Sequence, residues 1–116
     1  MNQKTAAQLG QEIASGILNP VELTEECFSK IKSSGIETDV FARLTRERAM
    51  IEAEASRQRQ KSGERLGPLD GVPVSWKDLF DTKGVATESG TPLLKGRVPD
   101  KDCEVLRRAT EAGTVC

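Results

Sequence analysis

Along the first third of this chain, apolar residues recur at the three- and four-residue spacing of a single helix face. Ala6, Leu9, Ile13 and Ile17 form the first stripe. Thr5, with Gln8 three residues on, has the form of a capping box, in which side chain and backbone at a helix start satisfy each other's free groups. Gly16 closes this helix. Asn19 offers a second N-cap, with Glu22 at the third position. Pro20 suits the first turn because the N–H it lacks would be unpaired there anyway. Leu23, Cys27, Phe28 and Ile31 continue on one face as far as Gly35, a natural helix stop. Cys27 belongs to that stripe and reads as a core residue rather than a reactive thiol. Asp39 to Leu44 predicts a short extended piece anchored by Val40 and Phe41. Thr45 then caps a long polar helix to about Ser62, with Ala49, Met50 and Ala53 as its narrow inner face.

After a loop from Gly63 to Gly71 the period changes. Val72, Val74 and Trp76 alternate with Pro73, Ser75 and Lys77, the pattern of a strand. Gly84, Gly90, Pro92, Gly96 and Pro99 break the stretch that follows, a long loop of the kind that carries ligand contacts over a rigid scaffold. Asp100 is expected to cap a helix bearing Val105, Leu106, Ala109 and Ala112 and ended by Gly113. Thr114-Val115-Cys116 then opens a second strand. Strand, crossover helix and strand make a βαβ unit whose two strands run parallel. So short a final strand reads as the front part of something longer.

Composition narrows the function. A chain of 116 residues is one small domain. With three Phe, one Trp and no Tyr, its core rests on Leu, Ile, Val and Ala. Seventeen basic and 18 acidic residues leave no electrostatic footprint for nucleic acid or an anionic membrane. The arginines at 43, 46, 48, 57, 59 and 65 are interleaved with Glu47, Glu52, Glu54 and Glu64 and read as a solvated helix face. No apolar run has the length of a signal peptide or a membrane span. Cys27, Cys103 and Cys116 are odd in number and widely spaced, which argues against a disulfide framework or a zinc site. The expectation is a cytoplasmic, reduced protein with no metal and no cofactor. The absence of histidine excludes Ser-His-Asp and Cys-His catalysis from within the chain, so a general base here is Lys, Asp or Glu.

The candidate is Lys77, set among Val74, Trp76, Leu79 and Phe80. An amine accepts a proton only when neutral, and burial among apolar groups disfavours the ammonium form. Asp78 and Asp81 oppose this, although strand alternation turns Asp78 to the other face. The plain alternative is a lysine that snorkels to solvent. Ser75 lies about 6.6 Å along the same face, at about 3.3 Å per residue, but neighbouring vectors on a strand splay, which disfavours a Ser75–Lys77 dyad. Ser89-Gly90-Thr91 reads as a turn rather than a substrate-lining loop and Cys103 and Cys116 as interior positions, while Asp70 and Asp81 could orient loops near the base.

The string GPLDGVPVSWKDLFDTKGVATESGTPLLKGR, Gly67 to Arg97, resembles the N-terminal motif of the amidase signature family. Its most specific part is G-P-L-D-G-V-P-V-x-x-K-D. The opening TAAQLGQEIASGILNPVELTEECFSKI, the polar helix and the segment from Asp100 onward are similar to that family too, so the resemblance covers nearly the whole chain. It implies an α/β fold of which this chain is the N-terminal portion, helices followed by the start of the central mixed sheet. Residues 1–116 would be an incomplete part of one amidase domain, 1–66 mainly helical and 67–116 strand–loop–helix–strand carrying the catalytic lysine. It further implies hydrolysis of a carbon–nitrogen amide bond through a Ser-Ser-Lys triad. Lys77 maps onto the base, which acts on a bridging serine held on a cis peptide, and that serine acts on the nucleophilic serine. Both serines belong to Gly/Ser-rich segments this sequence lacks, so the chain alone is expected to be inactive. The implied partner is a small-molecule amide, without direct contact to nucleic acid or membrane; a homodimer or a partner subunit is left open. Within the family, the amidase (glutaminase) subunit of a tRNA-dependent amidotransferase is the related reading, its partner holding the tRNA. From the residues alone, a noncatalytic interaction module built on the capped helices and the open strand edge is the alternative.

Overall fold

The computed structural model describes residues 4–35 and 37–116. Helices α1 (Ala6–Ala14), α2 (Pro20–Ser34), α3 (Glu37–Val40) and α4 (Arg46–Ser62) occupy the first half, and α5 (Glu104–Glu111) follows a long irregular segment containing one 3₁₀ turn (Pro92–Leu94). The helix starts follow from local chemistry. Thr5 Oγ1 accepts the Gln8 N–H at 3.2 Å while Gln8 Oε1 accepts the Thr5 N–H at 2.8 Å, completing the capping box. Asn19 Oδ1 accepts the Val21 N–H at 2.9 Å, Pro20 fills the first turn of α2, and Gly35 ends it in the left-handed conformation at φ 72°.

Two small clusters form the core. Ile13, Leu23 and Val72 pack together with Leu9, Leu18, Cys27 and Leu69 around them. Ala49, Ala53 and Val115 make the second, flanked by Val21 and Phe28. The inner face of α4 is built of small residues, so Val115 fits against it. Ser56 rather than Met50 completes that face: Ser56 is fully buried and Met50 only half-buried.

The expected sheet is reduced to a trace. Among the described residues the chain is helical with almost no strand. Pro73 and Val115 form an isolated parallel bridge in which Val115 N–H donates to Val72 O at 3.0 Å and Val74 N–H donates to Val115 O at 2.8 Å. The parallel relation expected of the βαβ unit is therefore present, as a single bridge. Pro73 has no N–H to extend the ladder, and the chain turns away at Lys77, whose carbonyl takes the N–H groups of Leu79 and Phe80 at 2.7 and 3.1 Å.

Three other expectations are corrected. The piece expected to be extended from Asp39 to Leu44 begins inside α3, whose first turn carries acidic Glu37 and Asp39 where the helix dipole favours negative charge, and residues 41–44 follow as irregular chain. Val40 is 59% exposed and anchors nothing, while Phe41 is half-buried. Thr45 stands at the N-cap of α4 without capping it, because its hydroxyl donates to Cys116 O at 2.9 Å. Asp100 does not cap the last helix. The chain is held by Gly84 N–H on Pro99 O and Cys103 N–H on Asp81 O, so α5 starts only at Glu104, with Cys103 at its N-cap and Leu106 as its buried residue.

Two arginines that the sequence presents as solvated are instead structural ties. Arg48 grips Asp102 with both terminal nitrogens at 2.8 and 2.9 Å and also bonds Glu52 and Thr110. Glu52 and Asp102 in turn accept the backbone N–H groups of Cys116 and Lys83. Arg59 grips Asp70, which is fully buried, at 2.9 and 2.7 Å. Gly113 lies against Asp70 with φ 90°; a Cβ there would fall 2.5 Å from the carboxyl carbon.

Candidate active site

Lys77 ends the extended segment that begins at the core residue Val72. Alternation along that segment holds: Val74 and Trp76 are half-buried, and Ser75 and Lys77 are exposed. Among the described residues the amine itself is exposed. Lys77 is exposed like Ser75, while Val74, Trp76 and Phe80 are half-buried and line the same groove as the lysine. Trp76 and Phe80 pack edge to face on each other, with ring centroids 5.4 Å apart at 69°, and Leu79 is 48% exposed. The lysine thus stands on the rim of a groove of about 930 Å³ whose walls include Phe28, Phe41, Trp76, Phe80 and Cys116. Among the described residues, no carboxylate pairs with its amine.

The two flanking acids are engaged elsewhere. Asp78 Oδ1 receives Arg43 Nη1 at 3.2 Å and the Glu88 N–H at 3.0 Å, and Asp78 O receives the Ser89 N–H at 2.8 Å. Arg43 Nη2 reaches Glu88 at 2.6 Å. The Gly96 N–H, and then the Arg43 guanidinium, hold the Glu88 carboxyl below the usual carboxylate range. Asp81 is held bidentately by Arg97 at 2.6 and 2.7 Å, and that hydrogen bonding lowers its pKa.

Ser89-Gly90-Thr91 forms the expected turn. Ser89 and Gly90 have φ 52° and 65°, and Thr91 N–H closes the turn on Glu88 O at 3.0 Å. Asp70 lies outside the lysine's groove and fastens the 66–70 loop, through the Leu66 N–H at 2.9 Å, to α4. Cys27 and Cys116 line the groove, and burial pushes both thiols up, which makes them weaker nucleophiles. Cys103 is half-buried. Among the described residues no cluster of acidic and cysteine side chains is placed to hold a metal ion, and no helix is long and apolar enough to cross a membrane. Sequence reasoning missed Arg43 and Arg97. Their partners lie 35 and 16 residues away, and no local pattern marks such pairs.

Comparison with known proteins gives this geometry a family. The family model described as Amidase matches residues 22–116. A glutamyl-tRNA(Gln) amidotransferase subunit from Streptomyces coelicolor is 38% identical over 111 residues, 96% of this chain and 22% of that protein. Its counterpart from Chloroflexus aggregans is 40% identical over 103 residues, 89% of this chain and 21% of that protein. Among solved structures, one from a vestigial protein complex that bears on the evolutionary origins of an s-triazine catabolic enzyme superposes with a TM-score of 0.90 at 32% identity, over 97% of this chain and 25% of that one. The native peptide amidase of Stenotrophomonas maltophilia superposes with a TM-score of 0.79 at 27% identity, over 98% of this chain and 24% of that one. The chain spans between about a fifth and a quarter of the length of these relatives. A family match over most of the chain, with the Lys77-Asp78 pair inside it on the rim of an apolar groove, shows that the chain belongs to the amidase signature family.

Proposed function

We propose that this chain supplies the base of an amide-hydrolysing site, with Lys77 as the lysine of a Ser-Ser-Lys triad whose serines come from outside these 116 residues. The observation that carries the reading is the placement of Lys77. It lies within the family match and on the groove rim, while Asp78 and Asp81 are each occupied by an arginine. In the reaction, neutral Lys77 takes a proton from the bridging serine, which takes one from the nucleophilic serine as its oxygen attacks the amide carbon. Backbone N–H groups hold the tetrahedral oxyanion. As the carbon–nitrogen bond breaks, the leaving nitrogen receives the proton back through the same relay. Water, deprotonated by that route, then releases the acid. The substrate is a small amide, the compartment the cytoplasm, and no cofactor takes part.

The test is Lys77→Ala in the intact protein. Turnover is abolished if Lys77 is the base, and a kcat/KM near wild type refutes the assignment. The names of the relatives at 38% and 40% identity favour a second reading within the family, an amidase subunit that frees ammonia from glutamine for a partner subunit. Glutaminase activity that appears only when a partner subunit is added supports it; equal activity without one refutes it.

A further inference from the structure

A catalytic amine on a turn needs that turn fixed against the rest of the protein. The bonds from Leu79 and Phe80 N–H to Lys77 O close the turn without tying it to anything else. The tie is made at the next residue. Asp78 accepts the Ser89 N–H at its carbonyl and the Glu88 N–H at its carboxylate, so the turn is joined to the 88–96 loop, and Glu88 in turn accepts the Gly96 N–H at 2.7 Å. Arg43, in the connection between α3 and α4, then bridges Asp78 at 3.2 Å and Glu88 at 2.6 Å. All three side chains are only a little over a quarter exposed, at 28 or 29%. Among the described residues this is the one ion-paired link from the lysine's turn to the helical half. The planar guanidinium suits the task, since its fork can hold two acceptors at once where an ammonium is a single point charge. Without the cation, two carboxylates would converge on one partly buried point and repel.

We infer that Arg43 is a positioning residue for the site, a two-armed clamp that sets where Lys77 presents its amine. The inference rests on the reading of Lys77 as base. A base displaced by about 1 Å costs on the order of 100-fold in rate, which sets the scale of the expected effect.

The experiment measures kcat, KM and amide hydrogen exchange in the intact protein for Arg43→Gln, Arg43→Lys and the double variant Arg43→Gln/Glu88→Gln. Arg43→Gln is expected to lower kcat on the order of 10- to 100-fold with KM within about twofold, the mark of lost positioning rather than lost binding. The Glu88 and Ser89 amides lose protection in parallel. Glu88→Gln removes the uncompensated charge while its amide oxygen still accepts the Gly96 N–H, so the double variant recovers part of kcat. Arg43→Lys keeps the charge and one arm and falls between. A wild-type kcat in Arg43→Gln, or a loss that Glu88→Gln does not relieve, overturns the clamp. If Arg43→Gln does not fold, a wild-type kcat in Arg43→Lys overturns it equally. An active Lys77→Ala protein sinks the base reading and the clamp's purpose with it. An inactive Lys77→Ala beside fully active Arg43 variants sinks the clamp alone.

Discussion

Arg59 and Asp70 offer a sharp test of what holds the motif loop in place. Asp70 is fully buried; its Oδ2 accepts Arg59 Nε and Leu66 N, both at 2.9 Å, and its Oδ1 accepts Arg59 Nη2 at 2.7 Å. Burial pushes the Asp70 carboxyl up, but the Arg59 hydrogen bonds and the Leu66 N–H outweigh it and hold the pKa below its ordinary value. Arg59→Met leaves a buried carboxylate without its charged partner. Breaking a buried pair this way costs ~3–5 kcal/mol, and the low end applies because Arg59 is 25% exposed and water can replace part of its contact. At about 2.1 cal/mol/K of unfolding entropy per residue over 116 residues, a loss of ~3 kcal/mol lowers Tm by roughly 12 °C. The assay is thermal melting by far-UV circular dichroism at pH 7 for wild type, Arg59→Met, Asp70→Asn and the double variant. In the Asp70→Asn background the arginine has no charge to compensate, so the same replacement costs ~1 kcal/mol, the net value of an ordinary hydrogen bond. Equal costs in the two backgrounds, or a Tm drop below about 4 °C, refute the reasoning. The pH dependence has a definite sign. A carboxyl with a depressed folded pKa contributes stability above its unfolded value of about 3.9 and loses it as pH falls through the lower folded value. Wild type therefore loses an increment of stability as pH drops below about 4 that Asp70→Asn lacks.

Two further perturbations test the packing. Gly10→Ala places a Cβ 1.9 Å from the backbone oxygen of Pro68, which has no rotamer by which to yield. We expect a loss of ~2–3 kcal/mol in a melt; a gain, which helix propensity alone favours by ~1 kcal/mol, refutes the close contact. Leu106, fully buried, is α5's hold on the core, and Leu106→Ala is expected to cost ~3 kcal/mol by urea denaturation. The adjacent Val105→Ala, at a position 47% exposed, stays within about 0.5 kcal/mol; similar losses at both positions refute this placement of the helix face.

The helical half was legible because its signals are local. The Thr5–Gln8 box, Asn19-Pro20 and the glycines at 35 and 63 act within one turn of the backbone they cap. The extended segment was legible in its alternation and in its parallel relation to Val115, yet not in how little sheet would form, because ladder length depends on partners that periodicity does not name. Asp100 misled because a capping residue competes with tertiary bonds. The Pro99 and Asp81 carbonyls fasten the chain on either side of it, and the helix begins four residues later, at Glu104. Thr45 failed as a cap for the same reason, its hydroxyl having a partner 71 residues away.

At the candidate site the sequence pointed to the lysine through its apolar neighbours, and among the described residues the lysine is exposed beside them. Apolar neighbours suggested an amine enclosed by them, but a strand sends alternate side chains to opposite faces. Val74, Trp76 and Phe80 nevertheless line the same groove as Lys77. What the structure shows there is that the flanking acids have other partners. Asp78 and Asp81, the groups best placed in sequence to pair with the lysine and hold it charged, are taken by Arg43 and Arg97 from 35 and 16 residues away. Arg43 sits among arginines that read as ordinary solvated charge and Arg97 in a loop, since an ion pair across a loop leaves no periodic trace in a chain. The motif's most specific stretch brings the lysine, and cations outside that stretch occupy the acids beside it. A substitution at Arg43 or Arg97 therefore leaves Asp78 or Asp81, one and four residues from Lys77, without its arginine.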